Sequence, residues 1–117
     1  MQFIEYPKCT TCQKAKKYLV EHNIDFKDRM IKEENPTKEE LTNWIKKYQL
    51  DSKKLFNTSG IKYRELKLKE KLPNMTEQEK IDLLASDGML VKRPLLVMED
   101  KLLIGFKEKE YQEIKKG

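Results

Sequence analysis

The chain has 117 residues, which suffices for one domain with one modest core. Charged residues make up 38% of the chain, against roughly 25% in an average soluble protein. The net charge of +5 arises mostly from lysines interleaved with acidic residues, which argues against direct nucleic-acid binding. No stretch approaches the roughly 20 apolar residues that a membrane span needs, and residues 1–20 lack a signal-peptide pattern. We therefore expect a single cytoplasmic domain over residues 1–117 that makes no membrane contact.

The first predicted elements are a strand and a helix, with two cysteines at the turn between them. Residues 1–6 alternate between apolar and polar side chains, as a short strand does. Residues 13–20 follow a helical pattern, and the sequence between these elements includes Cys9-Thr10-Thr11-Cys12. A helix N-terminus has unpaired N–H groups and a partial positive charge, and both favour a thiolate. In a reducing compartment such a pair is predicted to be redox-active rather than structural.

The middle of the chain predicts a second strand and then a helical insertion. Residues 24–28 alternate again, and a helical connection of this length favours parallel pairing with the first strand. Thr37 with Glu40 and Thr76 with Glu79 form two capping boxes, which indicate helix starts. The insertion is expected over roughly residues 36–90. It includes a short helix within residues 51–56 and no firmly predicted element in residues 61–72, and Gly88 is expected to stop its last helix.

The end of the chain predicts a hairpin and a final helix. Arg93-Pro94 precedes an apolar run at 95–98, and a turn at Glu99-Asp100 leads into a second run at 102–104. After Gly105, an amphipathic helix is expected to carry Phe106, Tyr111 and Ile114. The order is therefore βαβ, a helical middle, then ββα, which predicts a small mixed β-sheet of the α/β class.

Counting residues excludes a metal site of the usual structural kind. A structural zinc site needs four Cys or His ligands, and this chain offers only Cys9, Cys12 and His22. A helix from the cysteines to His22 would separate them by roughly 20 Å at 1.5 Å per residue. Thiol–disulfide chemistry remains, in which one sulfur attacks a disulfide and the other resolves the mixed disulfide. Cys9 is expected to attack, since it lies at the helix start, and Cys12 to resolve.

Three motifs resemble the arsenate reductase and Spx family. They are the sequence 7–12 around the cysteines, Lys92-Arg93-Pro94-Leu95 and Gly105-Phe106. The resemblance implies a thioredoxin-like fold with a helical insertion, and a cis peptide before Pro94 that places this proline opposite the cysteines. It implies catalytic roles for Cys9 and Cys12 and a substrate-binding surface formed by Lys8, Thr10, Thr11, Arg93 and Pro94. It implies no resident cofactor or metal, but an external thiol reductant such as glutathione with glutaredoxin, or thioredoxin.

The family contains two functions, and both remain open at this point. Arsenate reductases attack arsenate with the cysteine that matches Cys9 and hold the oxyanion with arginines, one of which matches Arg93. The other two arginines fall near Asn57 and Gly105, so this chain lacks them. Spx-like regulators use the Cys-x-x-Cys pair as an oxidation switch while bound to RNA polymerase, but Asp51 stands where they carry a contact glycine. We therefore favour a thiol–disulfide oxidoreductase of arsenate-reductase type whose physiological substrate the sequence does not identify. The alternatives are a redox-switched regulator that binds RNA polymerase and, least favoured, a redox-inert binding domain.

Overall fold

The computed structural model describes residues 1–114, which form two compact units. Within the described residues, the first unit comprises Met1–Met30 and residues 93–114, and the second comprises Ile31–Lys92. The last three residues of the expected domain lie outside the described part of the chain. The predicted insertion, residues 36–90, falls within the second unit.

The first unit contains a four-stranded mixed sheet. Its strands are β1 (Gln2–Glu5), β2 (Lys27–Met30), β3 (Leu95–Val97) and β4 (Leu102–Ile104). Their order is β2-β1-β3-β4, with β1 and β2 parallel and the pairs β1–β3 and β3–β4 antiparallel. The predicted parallel first pair and closing antiparallel hairpin are therefore confirmed.

Six α-helices lie within residues 1–114. They are α1 (Thr10–Glu21), α2 (Lys38–Lys47), α3 (Ile61–Glu65), α4 (Leu68–Lys71), α5 (Glu77–Ser86) and α6 (Glu108–Gln112). In this described part of the chain, no helix combines the length and apolar character needed to cross a membrane. Side chains from the sheet, α1, α6 and the residues that flank them form the core of the first unit: Phe3, Ala15, Leu19, Ile24, Leu96, Leu103, Tyr111 and Ile114.

Two predicted elements of the first unit have the wrong bounds. The second strand covers Lys27–Met30 instead of 24–28, because Asn23 takes a left-handed conformation and the Ile24 N–H bonds back to the Leu19 carbonyl. The final helix is confined to Glu108–Gln112, so the two flanking apolar residues of the expected helix, Phe106 and Ile114, pack from outside it.

The helices of the second unit start where the capping boxes predict. The Thr37 hydroxyl accepts from the Glu40 N–H at 3.1 Å and the Glu40 carboxylate accepts from the Thr37 N–H at 3.0 Å. Thr76 and Glu79 make the same pair of bonds at the start of α5. The short helix expected within 51–56 is a 3-10 turn at Ser52–Leu55, and the unassigned stretch 61–72 contains α3 and α4.

The expected role of Gly88 is wrong. Helix α5 ends at Ser86 with Asp87 as its C-cap, and Gly88 opens a 3-10 turn, Gly88–Leu90. A Cβ at this position would collide with the carbonyl oxygen of Ile31. A close backbone approach, rather than a left-handed helix cap, is therefore what requires glycine here.

Candidate active site

Cys9 is the N-cap residue of α1. Its sulfur accepts a hydrogen bond from the Cys12 N–H at 3.2 Å, and its carbonyl accepts from the Gln13 N–H at 3.0 Å. The preceding turn is closed by a bond from the Cys9 N–H to the Tyr6 carbonyl at 3.0 Å. The Gln13 side chain donates to the Pro7 carbonyl at 2.8 Å and fastens this turn to the helix. Cys9 is therefore a half-buried residue whose sulfur is stabilised by a helix-terminal amide.

Cys12 lies one turn further along α1 and is completely buried, with 0% of its surface exposed. Burial raises the pKa of its thiol to about 12, and the hydrogen bond and charge of Cys9 add to that rise. The backbone amide of Tyr6 and the positive charge of Arg93 act in the opposite direction. Cys12 is therefore held as a neutral thiol at neutral pH, and the two sulfurs lie in contrasting environments.

Arg93 and Pro94 lie at the start of the hairpin. The peptide between them is cis, as expected, and the Pro94 carbonyl accepts from the Gly105 N–H at 2.8 Å. Gly105 has a φ of 76°, a conformation that favours glycine. The Arg93 guanidinium lies 5.1 Å from the centre of the Tyr6 ring, a cation–π contact. Because its charge also lowers the pKa of Cys12, Arg93 acts electrostatically on the cysteine pair.

The other predicted binding residues lie around the start of α1. Thr10 and Thr11 are the first two residues of the helix, and both are exposed, as is Lys8 before them. The backbone N–H groups of Thr10 and Thr11 belong to the first helical turn, where no carbonyl of the helix accepts a hydrogen bond from them. Within residues 1–114, no group of three or more His, Cys, Asp or Glu side chains is placed to hold a metal ion. His22 is the C-cap of α1, at the end remote from Cys9.

Glu5, at the end of β1, is a buried carboxyl that pairs with Lys16 of α1. The Lys16 ammonium lies 3.1 Å from a Glu5 oxygen and 2.8 Å from an Asp28 oxygen on β2. Burial raises the pKa of Glu5 to about 7, its hydrogen bond with Asp28 adds to the rise, and Lys16 opposes it. Burial also acts to raise the pKa of Asp28, but hydrogen bonds with Glu5 and Lys16 outweigh it and lower that pKa. Glu5 therefore carries the proton that the two carboxyls share.

We expect the free energy of unfolding of the wild type to fall as the pH rises from about 4.5 to about 7, and we expect Glu5→Gln to lack this fall. The folded chain binds this proton more tightly than the unfolded chain, so the stabilising contribution is complete below pH 4.5 and is lost as the pH rises through about 7. At about 1.4 kcal/mol per pKa unit, the loss at pH 8 is on the order of 1–3 kcal/mol. Glutamine imitates the protonated acid and still donates to Asp28. The free energy of unfolding in urea, measured at pH 5 and pH 8, tests this prediction.

The matched control is Asp25→Asn, which removes one negative charge from an exposed position before β2. We expect this variant to keep the wild-type pH dependence. An equal decline from pH 5 to pH 8 in the wild type and in Glu5→Gln would contradict the role assigned to Glu5.

A comparison with protein families matches the ArsC family model to residues 4–114, almost the whole chain. The chain belongs to the ArsC family. A structure of an ArsC-family-related protein from Bacteroides fragilis superposes with a TM-score of 0.93 at 56% sequence identity, covering 97% of this chain and 96% of that one. The predicted thioredoxin-like α/β class and the predicted family are therefore confirmed.

Among curated relatives of this ArsC-family chain, the uncharacterized protein YusI of Bacillus subtilis is 55% identical over 113 residues, covering 97% of this chain and 96% of YusI. The regulatory protein MgsR of Bacillus subtilis is 33% identical over 116 residues, covering 99% of this chain and 90% of MgsR. The global transcriptional regulator Spx of Enterococcus faecalis is 31% identical over 104 residues, covering 89% and 77%. Homologues of this chain thus include named transcriptional regulators as well as ArsC-type proteins.

Three residues of the ArsC-family site were missed from the sequence. Tyr6 contacts Arg93, Glu5 is the buried acid on β1, and Tyr111 lies in the core, where burial raises its pKa and the charge of Cys12 adds to that rise. Glu5 carried one usable signal, which is an acidic residue in a strand whose neighbours Phe3 and Ile4 are apolar. Tyr6 and Tyr111 carried none, because their roles depend on residues roughly 90 positions away.

Proposed function

We propose that this ArsC-family chain is a thiol–disulfide oxidoreductase in which Cys9 attacks and Cys12 resolves. The observation that carries the proposal is the contrast between the sulfurs. Cys9 is half-buried and its sulfur accepts a hydrogen bond from a helix-terminal N–H at 3.2 Å, whereas Cys12 is completely buried. A thiolate is the nucleophile in disulfide exchange, and a helix N-terminus stabilises it.

The reaction proceeds in two exchanges. The Cys9 thiolate attacks one sulfur of a substrate disulfide, and the other substrate sulfur leaves as a thiolate. Cys12 then attacks the Cys9 sulfur and gives its proton to the departing substrate sulfur, which leaves as a thiol, so that a Cys9–Cys12 disulfide remains. An external thiol, such as glutathione with glutaredoxin or thioredoxin, reduces this disulfide and restores both thiols. These steps suit a reducing compartment, and we propose the cytoplasm.

The charge at the site favours a disulfide over arsenate as the substrate. An oxyanion is held best by several convergent cationic donors. Arg93 is the one family arginine that this chain retains, and it already contacts Tyr6. The other two family arginines fall near Asn57 and Gly105, where this chain has no arginine. Lys8, Thr10 and Thr11 then supply a polar edge for the substrate and a docking surface for the thiol reductant.

Turnover assays with either substrate test this assignment. We expect a small disulfide to be reduced in multiple turnovers with glutathione–glutaredoxin or thioredoxin as the donor, and arsenate to be reduced at least tenfold more slowly, because two cationic contacts are missing. Arg64→Ala, which removes an exposed arginine of α3, serves as the charge-matched control for Arg93→Ala. Rapid arsenate reduction that Arg93→Ala abolishes and Arg64→Ala leaves intact would overturn the preference for a disulfide.

The similarity to MgsR and Spx supports a second function, a redox-switched regulator that binds RNA polymerase. In this role, the same Cys9–Cys12 exchange would set the affinity for the polymerase. Asp51, at the position of the Spx contact glycine, is exposed and caps the turn Ser52–Leu55 through the Lys53 N–H at 3.0 Å. A complex with RNA polymerase that survives purification, depends on the redox state and is lost in Asp51→Arg would place this function first.

A further inference from the structure

The Arg93 guanidinium lies over the ring of Tyr6, a contact that the sheet brings about. The antiparallel ladder between β1 and β3 pairs Ile4 with Leu95. Continued beyond that pair toward the cysteines, the same register sets Tyr6 opposite Arg93. The guanidinium lies 5.1 Å from the centre of the ring, and a cation–π contact extends to roughly 6 Å. The contact therefore follows from the pairing of two strands of the first unit.

Tyr6 also belongs to the turn that leads into Cys9. Its carbonyl accepts from the Cys9 N–H at 3.0 Å and closes this turn in front of α1. The next residue, Pro7, is joined to the helix by the Gln13 side chain, which donates to the Pro7 carbonyl at 2.8 Å. The backbone of Tyr6 is thus fixed to the cysteine turn while its ring contacts Arg93. A single residue therefore connects this cation with the turn that carries Cys9.

The charges along this part of the chain are all positive. Residues 6–20 contain four lysines and no acidic residue. Lys8 directly precedes Cys9 and is exposed, and the helix N-terminus adds a partial positive charge. Arg93 brings a further full charge to the same turn from the other end of the chain. A negatively charged substrate group is therefore attracted to this region, and a positively charged one is repelled.

We infer that Tyr6 is a positioning residue whose ring holds the Arg93 guanidinium beside the Cys9 turn, so that the chain prefers disulfides that carry a negative charge. The inference rests on the proposed function and names the substrate class of that site, a disulfide with a carboxylate near its sulfurs. An arginine side chain has many rotamers, and contact with an aromatic face restricts them. This contact does not use the guanidinium N–H groups, whose geometry matches a carboxylate.

Two disulfides of opposite charge provide the test. Dithiodipropionate ends in carboxylates and cystamine ends in ammonium groups, and both carry short aliphatic chains on their sulfurs. In the first exchange, Cys9 forms a bond to one substrate sulfur, the substrate disulfide breaks, and the other sulfur leaves as a thiolate. The disappearance of the reduced chain, followed by intact mass with the disulfide in excess, gives the rate of this exchange. The ratio of the rate with dithiodipropionate to the rate with cystamine measures the preference for negative charge.

We expect Tyr6→Leu to lower this ratio roughly fivefold, because the cation–π contact that holds Arg93 is lost. Arg93→Gln is expected to lower the ratio at least as far, and Tyr6→Leu added to it is expected to lower the ratio no further, since the ring acts through the arginine. Tyr6→Phe keeps the ring and is expected to retain the wild-type ratio. The matched controls are Arg64→Gln and Tyr63→Leu, both on α3, and each is expected to retain the wild-type ratio as well.

Fluorinated phenylalanines at position 6 keep the inference testable if Tyr6→Leu alters folding. Each added fluorine withdraws electrons from the face of the ring and weakens its attraction for a cation, while the shape of the ring changes little. The ratio is therefore expected to fall stepwise as fluorines are added.

Two results would overturn this inference and leave the proposed function standing. One is a ratio that stays constant across the fluorinated series. The other is an equal loss of rate with both disulfides in Tyr6→Leu, which would show that the ring only supports the fold. A wild-type chain that reacts with neither disulfide would overturn the proposed function and this inference together.

Discussion

We expect Cys9→Ser to abolish reaction with a disulfide or an alkylating probe near pH 7, with a fall in rate of at least about a hundredfold. The variant retains Cys12, and burial, the largest cause of the raised pKa of its thiol, persists, so this thiol stays mostly protonated at pH 7. Cys12 is also completely buried, so a probe cannot reach the sulfur without local opening of the fold. Mass spectrometry after timed exposure to iodoacetamide measures the alkylation rates of the wild type and of the variant.

Cys12→Ala is the matched control for Cys9→Ser, because it removes the other sulfur and keeps the N-cap. In this variant the backbone N–H of residue 12 still donates to the Cys9 sulfur, as it does at 3.2 Å in the wild type. We expect its first alkylation to proceed at close to the wild-type rate. Equal alkylation of Cys9 and Cys12 in the wild-type chain would show that the assignment of attacking and resolving sulfurs is wrong.

The second large effect is expected for Cys12→Ser, which should stall the reaction after the first exchange. Cys9 still attacks a disulfide, but no second sulfur is available to displace the substrate, so the mixed disulfide accumulates. Turnover with a disulfide substrate should fall to the rate at which the external thiol itself cleaves the mixed disulfide. Intact-mass measurement should show nearly one substrate thiol bound per chain.

An effect of Cys12→Ser on folding must be distinguished from its effect on the disulfide exchange. Serine places a hydroxyl where the wild type has a buried thiol, which costs on the order of 1–3 kcal/mol if the hydroxyl finds no acceptor. Cys12→Ala avoids that cost and should trap the same mixed disulfide. Release of both substrate thiols by either variant at the wild-type rate would mean that Cys12 is not the resolving sulfur.

Much of the site could be predicted because it is built from local interactions. The strand, the turn and the helix start around Cys9 lie within a dozen residues, and the helix N-cap follows from that order alone. The capping boxes at Thr37 and Thr76 involve residues three positions apart, so each helix start is determined by its own four residues. The cis peptide before Pro94 was expected only through the family resemblance.

The amino-acid sequence alone thus determined the strand–helix unit, the position of Cys9 at the helix start, and the closing hairpin. Tertiary structure decided the rest. The position of β2 is set by its ladder with β1, which pairs Gln2 with Lys27, whereas alternation at 24–28 reported only which side chains are buried. The glycine at 88 is required by the Ile31 carbonyl, and the electrostatic surroundings of Cys12 depend on Arg93, some 80 residues further along the chain. Such contacts leave no periodic or local trace in a sequence, because they arise only when distant segments pack in three dimensions.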